Sequence, residues 1–245
     1  MIDVKQQYQA IIFLDASSIS PKPENISIMM ELFRDKGFIP SMFHEISSNS
    51  PSPSIRLKLS DPKNEWNINF GTDRITIFKN PLEANGRNLG ELSDFCDDVT
   101  TFFNRIHNKF RKKPNRIALA TGFLLSEMNE EKLNAIYAKM FKTPDFYSSH
   151  LPFEWNWRSA SKLSIKINEL EETLNVITMI NRVSGEMTFN NEITYFDRVQ
   201  LSFDINTVHE NSDYRFTLDH ISNFYVQALE IHDQLIKEVT DAING

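Results

Sequence analysis

The chain predicts an α+β protein made of two β-α-β4-α halves that share one curved antiparallel sheet, with helices packed on one side. Three observations carry that prediction. The last long stretch, Phe216 to Ile243, contains neither Gly nor Pro. Its residues Ile221, Phe224, Tyr225, Ala228, Ile231, Leu235, Val239 and Ile243 recur at spacings of three and four, which lines one face of a helix of about seven turns. Short stretches elsewhere alternate apolar and polar residues, the pattern of strands with one face on a core and one on water. The order of these elements in the first half of the chain then recurs in the second, and a repeated unit that pairs with its copy covers both open flanks at once.

Tyr8 to Leu14, rich in β-branched and aromatic residues, reads as a buried strand. A helix follows over about Glu24 to Lys36, with Ile28, Met29, Leu32 and Phe33 on one side and Gly37 as its stop. Phe38 to Ile46 is the next strand, and SSNSPSPS after it is the most loop-like segment. Three strands come next, Ile55 to Leu59, Trp66 to Phe70 and Arg74 to Phe78, the last two joined by a turn at Gly71-Thr72-Asp73. The half closes with a helix over Leu89 to Phe110, whose stripe is Leu92, Phe95, Cys96, Val99, Phe102, Phe103 and Ile106.

In the second half, Arg116 to Leu125 is a strand and Met128 to Phe141 a helix with Leu133, Ile136, Tyr137 and Met140 inward. Four strands are expected next, over Phe153 to Trp157, Lys162 to Leu170, Leu174 to Val183 and Tyr195 to Ile205, before the terminal helix. The halves divide as 1–113 and 114–245, one intimate unit. Asp73-Arg74-Ile75-Thr76-Ile77 and Asp197-Arg198-Val199-Gln200-Leu201 occupy matching places in the two.

Composition narrows the function. With 245 residues the chain can bury a full core without staples, and its single cysteine, Cys96, excludes an internal disulfide framework and suits a reducing compartment. No signal-peptide pattern opens the chain and no run approaches the ~18 apolar residues of a membrane span, so a cytoplasmic protein without a membrane partner is expected. Residues 1–122 hold 16 Lys/Arg against 14 Asp/Glu, whereas 123–245 hold 10 against 19. The acidic half disfavours wrapping nucleic acid there. Neither G-x-G-x-x-G nor G-x-x-x-x-G-K-[ST] occurs, which disfavours the usual dinucleotide and nucleotide chemistry, and no cofactor is expected.

The element order resembles the duplicated fold of the TATA-box-binding protein, or a helix-grip-like arrangement. That resemblance implies a saddle-shaped sheet with its helices on the convex side. No motif of that protein is present, so none of its functional residues is carried over. Gly37-Phe38-Ile39-Pro40, the strand-borne Asp-Arg, Phe203-Asp204-Ile205-Asn206 and ALEIHDQL in the last helix look like a sporadically distributed family of uncharacterised bacterial proteins. This second resemblance implies a bacterial or phage source and the patchy distribution of accessory and antiviral defence genes.

Two stretches are candidate binding sites. Phe153, Trp155 and Trp157 share one face of a strand, a ridge that grips a partner or forms core under a helix, while Glu154, Asn156 and Arg158 share the other. Phe153, Trp155, Trp157 and Arg158 are therefore taken as partner-binding candidates. Arg105, Lys109, Arg111, Lys112, Lys113 and Arg116 form a basic tract suited to an anion or nucleic acid, or to the negative end of a helix dipole. The six histidines show no metal spacing, although His232-Asp233 with His220 superficially suggests a phosphohydrolase. Asp94, Asp97 and Asp98 share a helix face, and Cys96 sits on an apolar stripe. No catalytic set and no metal site follow from this pattern. The expected function is a non-enzymatic protein-interaction module, a subunit or sensor of a bacterial multi-protein system, with a protein partner or a second copy as its ligand. The alternatives are nucleic-acid binding through the basic tract and a metal-dependent hydrolase or nuclease.

Overall fold

A computed structural model describes residues 2–46, 52–189 and 192–244; the SSNSP part of the predicted loop, at 47–51, lies outside them. The first half contains β1 (Ile2–Phe13), α1 (Pro23–Leu32), β2 (Ile39–Glu45), β3 (Ser54–Ser60), β4 (Trp66–Phe70), β5 (Arg74–Lys79) and α2 (Leu92–Phe110). The second contains β6 (Arg116–Leu125), α3 (Glu130–Met140), α4 (Asp145–Ser149), β7 (Trp155–Ile167), β8 (Leu170–Phe189), β9 (Glu192–Thr207) and α5 (Leu218–Asn244). Among the described residues the strands form one antiparallel sheet in the order β2-β3-β4-β5-β1-β6-β9-β8-β7.

β1 and β6, the first strand of each half, pair at the centre, with Ala10 opposite Leu119 and Ile12 opposite Ile117. Alternation decides which face is covered. Tyr8, Ala10 and Ile12 of β1, Ile117, Leu119 and Phe123 of β6, and Val199, Leu201, Phe203 and Ile205 of β9 are all buried. α2 and α5 lie over them and against each other. All seven residues of the predicted α2 stripe are buried. Each such large side chain contributes about 1.5–3 kcal/mol relative to exposure, which is why the stripe is so regular.

The sheet curls toward its uncovered face. A single cavity of about 500 Å³ touches Phe43 and Glu45 of β2 together with Gln9 and Ile11 of β1. In a flat sheet these strands would stand four spacings apart, about 19 Å. The curl also explains why Asn67 and Thr76, on the uncovered side of β4 and β5, are buried. Beyond the sheet, β8 and β9 continue as a two-stranded arm: β7 pairs with β8 only as far as Arg182, and β6 with β9 only as far as Gln200, while β8 and β9 stay paired out to Phe189 and Glu192.

Gly86 fixes the connection between β5 and α2. It adopts φ +66°, and a Cβ there would lie 1.8 Å from the Lys5 carbonyl oxygen of β1. The Lys5 amide donates to the Asn85 carbonyl at 3.2 Å, so the loop is laced to the central strand.

Three features differ from the sequence expectation. The segments expected as separate strands at 153–157 and 162–170 are one continuous edge strand, β7, so the second half has three strands after its helices rather than four. An edge strand is wet on one flank and needs little apolar alternation, and Ser159, Ser161 and Ser164 within β7 masked its continuity. The short helix α4 was not signalled at all. On α5, His232 is buried where the spacing pointed to Ile231, which is only half-buried.

Candidate interaction face

The uncovered face of the four central strands is built from the polar phase of the same alternation. β1 presents Gln7, Gln9 and Ile11; β6 presents Ala118, Ala120 and Gly122; β9 presents Gln200, Ser202 and Asp204; β5 presents Thr76 and Phe78. Gln6, Gln7, Gln9, Gln200 and Ser202 line a shallow hollow of about 310 Å³ whose floor is Ala120 and Gly122. The small residues of β6 thus make a valley between two amide banks.

Those amides are joined across strands. Gln200 donates from Nε2 to Gln6 Oε1 at 2.8 Å, Asn181 donates from Nδ2 to Gln200 Oε1 at 3.4 Å, and Asn156 donates to Asn181. The ladder crosses β1, β9, β8 and β7 in turn. At one end of the face Arg116 donates to the Thr207 carbonyl at 3.0 Å and to Asn206 Oδ1 at 2.8 Å, and lies over the Phe13 ring. At the other end Arg198 bridges Asp3 at 2.6 Å and Glu127 at 2.8 Å. The middle of the face, from Gln9 and Thr76 to Gln200 and Ser202, carries no Lys or Arg; its one carboxylate, Asp204, lies opposite Ala120 and accepts from Asn206 Nδ2 at 2.8 Å.

The aromatic ridge is divided by the structure. Trp155 is 6 % exposed and packs on Phe141 and Tyr137 beside α3, on the helix-covered face. Trp157 is half-buried on the same face, whereas Phe153 precedes the strand and is 77 % exposed. Arg158 is exposed on the opposite face of β7.

The basic tract is partly spent inside the molecule. Arg105 grips Asp35 through both guanidinium nitrogens and donates to the Leu32 carbonyl at 2.9 Å. Lys112 pairs with Asp15 at 2.9 Å. Hydrogen bonds from Ser17 and Lys112 hold the Asp15 carboxyl down at about 2. Arg111 closes α2 in the left-handed conformation, its amide donating to the His107 carbonyl at 2.7 Å. Lys109, Arg111 and Lys113 remain exposed, and among the described residues their side chains have no ionic partner.

The residues considered for chemistry are dispersed. His232 is buried, with Nε2 3.1 Å from Thr121 Oγ1 and the ring between Phe123 and Phe203. Burial lowers its pKa, against the opposing pull of Asp233. His220 instead accepts from the Thr217 amide at the start of α5. Cys96 is buried in the core, and burial pushes its thiol pKa far up. Asp98 pairs with Lys36 at 3.4 Å, while Asp94 and Asp97 face solvent. Among the described residues no three or more His, Cys, Asp or Glu side chains gather closely enough to hold a metal ion. No described helix is long and apolar enough to cross a membrane.

The amide ladder was missed by sequence reasoning. Its members do sit on the polar phase of their strands, but that phase is ordinarily solvated and nothing local marks Asn156, Asn181, Gln200 and Gln6 as one row. Register alone assembles them.

No family model matches the chain, and no curated protein does. Among solved structures, a rolling circle replication initiator protein from Geobacillus stearothermophilus is similar over 95% of this chain and 83% of that one, at 10% identity and a TM-score of 0.31. Nothing about the chemistry of this chain is taken from so distant a likeness.

Proposed function

We propose that this chain is a non-enzymatic interaction module, a subunit or sensor of a multi-protein system, which docks a polypeptide on the open face of its sheet. The observation that supports this reading most is the amide-rich middle of that face, which holds no cation. Gln and Asn side chains offer both a donor and an acceptor, the pairing a peptide group needs. A phosphate backbone needs clustered Lys and Arg, and the middle of the face has none. The exposed cations Lys109, Arg111 and Lys113 lie at the end of α2 instead.

The test is retention of partners on the tagged chain at moderate salt, with and without nuclease. A defined polypeptide kept after nuclease treatment, and lost when Ser202→Arg places a long cation in the valley, is the expected result. Recovery of nucleic acid that disappears with Lys109→Glu and Lys113→Glu would replace this reading with nucleic-acid binding at the tract.

A further inference from the structure

At the end of the open face, where the β8–β9 arm leaves the sheet, a groove of about 430 Å³ has a different character from the amide valley. Its floor is apolar: Val4, Leu124, Pro81, Ala84 and Phe196. The Phe196 ring rests against Gly185 across the arm, where a Cβ would come within 3.3 Å of the ring, so the ring is held flat beside the groove. The opposite wall is the loop that Gly86 and Asn85 lace to β1. The floor is therefore framed by two fixed backbones.

The polar groups around it are unbalanced. Arg198 is the single cation among the lining residues, and it is already engaged by Asp3 and Glu127. Glu83 is exposed and has no cationic partner among the described residues. Glu186, on the same groove, is exposed and likewise has no cationic partner among the described residues. Two unpaired carboxylates beside an apolar floor suit a cation carried on an apolar stem.

We propose that this groove seats an extended, basic segment of the partner protein, a proposal that rests on the interaction reading above. The stem of a Lys or Arg side chain lies on Phe196 and Leu124, and its charged end meets Glu83. The apolar floor runs on past one such stem to Val4, Pro81 and Ala84, which is why a segment with apolar flanking residues rather than a small cation is assigned. Arg anchors on aromatic floors commonly dominate such contacts.

The test follows the methyl signals of Val4 and Leu124 in the full chain during titration with a capped Val-Arg-Val peptide, a capped Val-Gln-Val peptide and spermidine. The Arg peptide should shift both methyls saturably, with affinity about tenfold above the Gln peptide and above Glu83→Lys with the Arg peptide. Glu131→Lys, an exposed charge change on α3, should leave the affinity unchanged. Equal binding of the Gln peptide, equal weakening by Glu131→Lys, or saturation by spermidine at the same concentration would each overturn the assignment. The two readings fail separately. If Ser202→Arg releases the retained polypeptide and Glu83→Lys does not, the groove assignment falls and the docking face stands; if the peptide binds as expected while no polypeptide is retained, the docking face falls and the groove stands.

Discussion

Two buried polar side chains show how single residues set the conditions under which this fold is stable. His232 is kept neutral by burial between Phe123 and Phe203, so its native pKa lies below the ordinary imidazole value. The unfolded chain therefore takes up a proton at this position before the folded one does. Its contribution is fully present above about pH 6.5 and is lost as pH falls toward the lowered native value. His232→Gln keeps a partner for Thr121 without the titration, so between about pH 7 and pH 5.5 its melting temperature should fall less than that of the parent chain. Arg56 is the second case. It is buried, and its guanidinium donates to the carbonyls of Phe70 at 3.0 Å, Gly71 at 2.5 Å, Ala16 at 2.7 Å and Ser17 at 3.2 Å. A lysine carries three donors on one atom and cannot span four carbonyls, so Arg56→Lys should cost about 2 kcal/mol in denaturant unfolding. Neither role was legible in the sequence, because each depends on which backbone or ring a distant strand brings alongside.

At the level of elements, spacing was the reliable signal wherever packing is one-sided. The α2 stripe and the strands at Trp66–Phe70 and Arg74–Lys79 could be read almost residue for residue, since each puts an apolar row on the core and a polar row on the other side. β7 could not, because an edge strand lacks that contrast, and α5 was read one residue off at Ile231 because an imidazole can occupy an apolar stripe when a hydroxyl such as that of Thr121 meets it. Gly86 makes the sharpest element-level prediction. Its positive φ and the 1.8 Å approach to the Lys5 carbonyl leave no room for a methyl group. Gly86→Ala should destabilise the chain by about 2 kcal/mol or more and detach the loop from β1, seen as faster hydrogen exchange at the Lys5 amide. Gly37→Ala, also at positive φ but with nothing within 4 Å, should cost only about 1 kcal/mol.

Across the whole molecule, the central β1–β6 pair makes the two stretches of chain dependent on each other. One contiguous core runs from Tyr8 and Phe95 through Phe123 to Phe203 and Phe224, and α2 packs on α5 above it. Unfolding should therefore be a single transition by both circular dichroism and Trp fluorescence, and residues 1–113 expressed alone should lack it, because β1 would lose a neighbour and α2 its cover. The antiparallel sheet and the long helices α2 and α5 were legible in sequence because their periodicities are one-sided, whereas the expected repeat of four strands was not met after β6, where three strands follow two helices. The open face was not legible, since its amides acquire meaning only through register. The ladder across that face has a direction. Asn156, Asn181 and Gln200 each donate toward β1, so Asn156 Oδ1 is the acceptor left over at the β7 end and Gln6 Nε2 the donor left over at the β1 end. Turning any one amide around would set donor against donor or acceptor against acceptor, so the row reverses only as a whole. A partner that presents a donor rather than an acceptor at Gln6 would invert all four amides, and the polarity offered at the far edge of the sheet, four strands away, would invert with them.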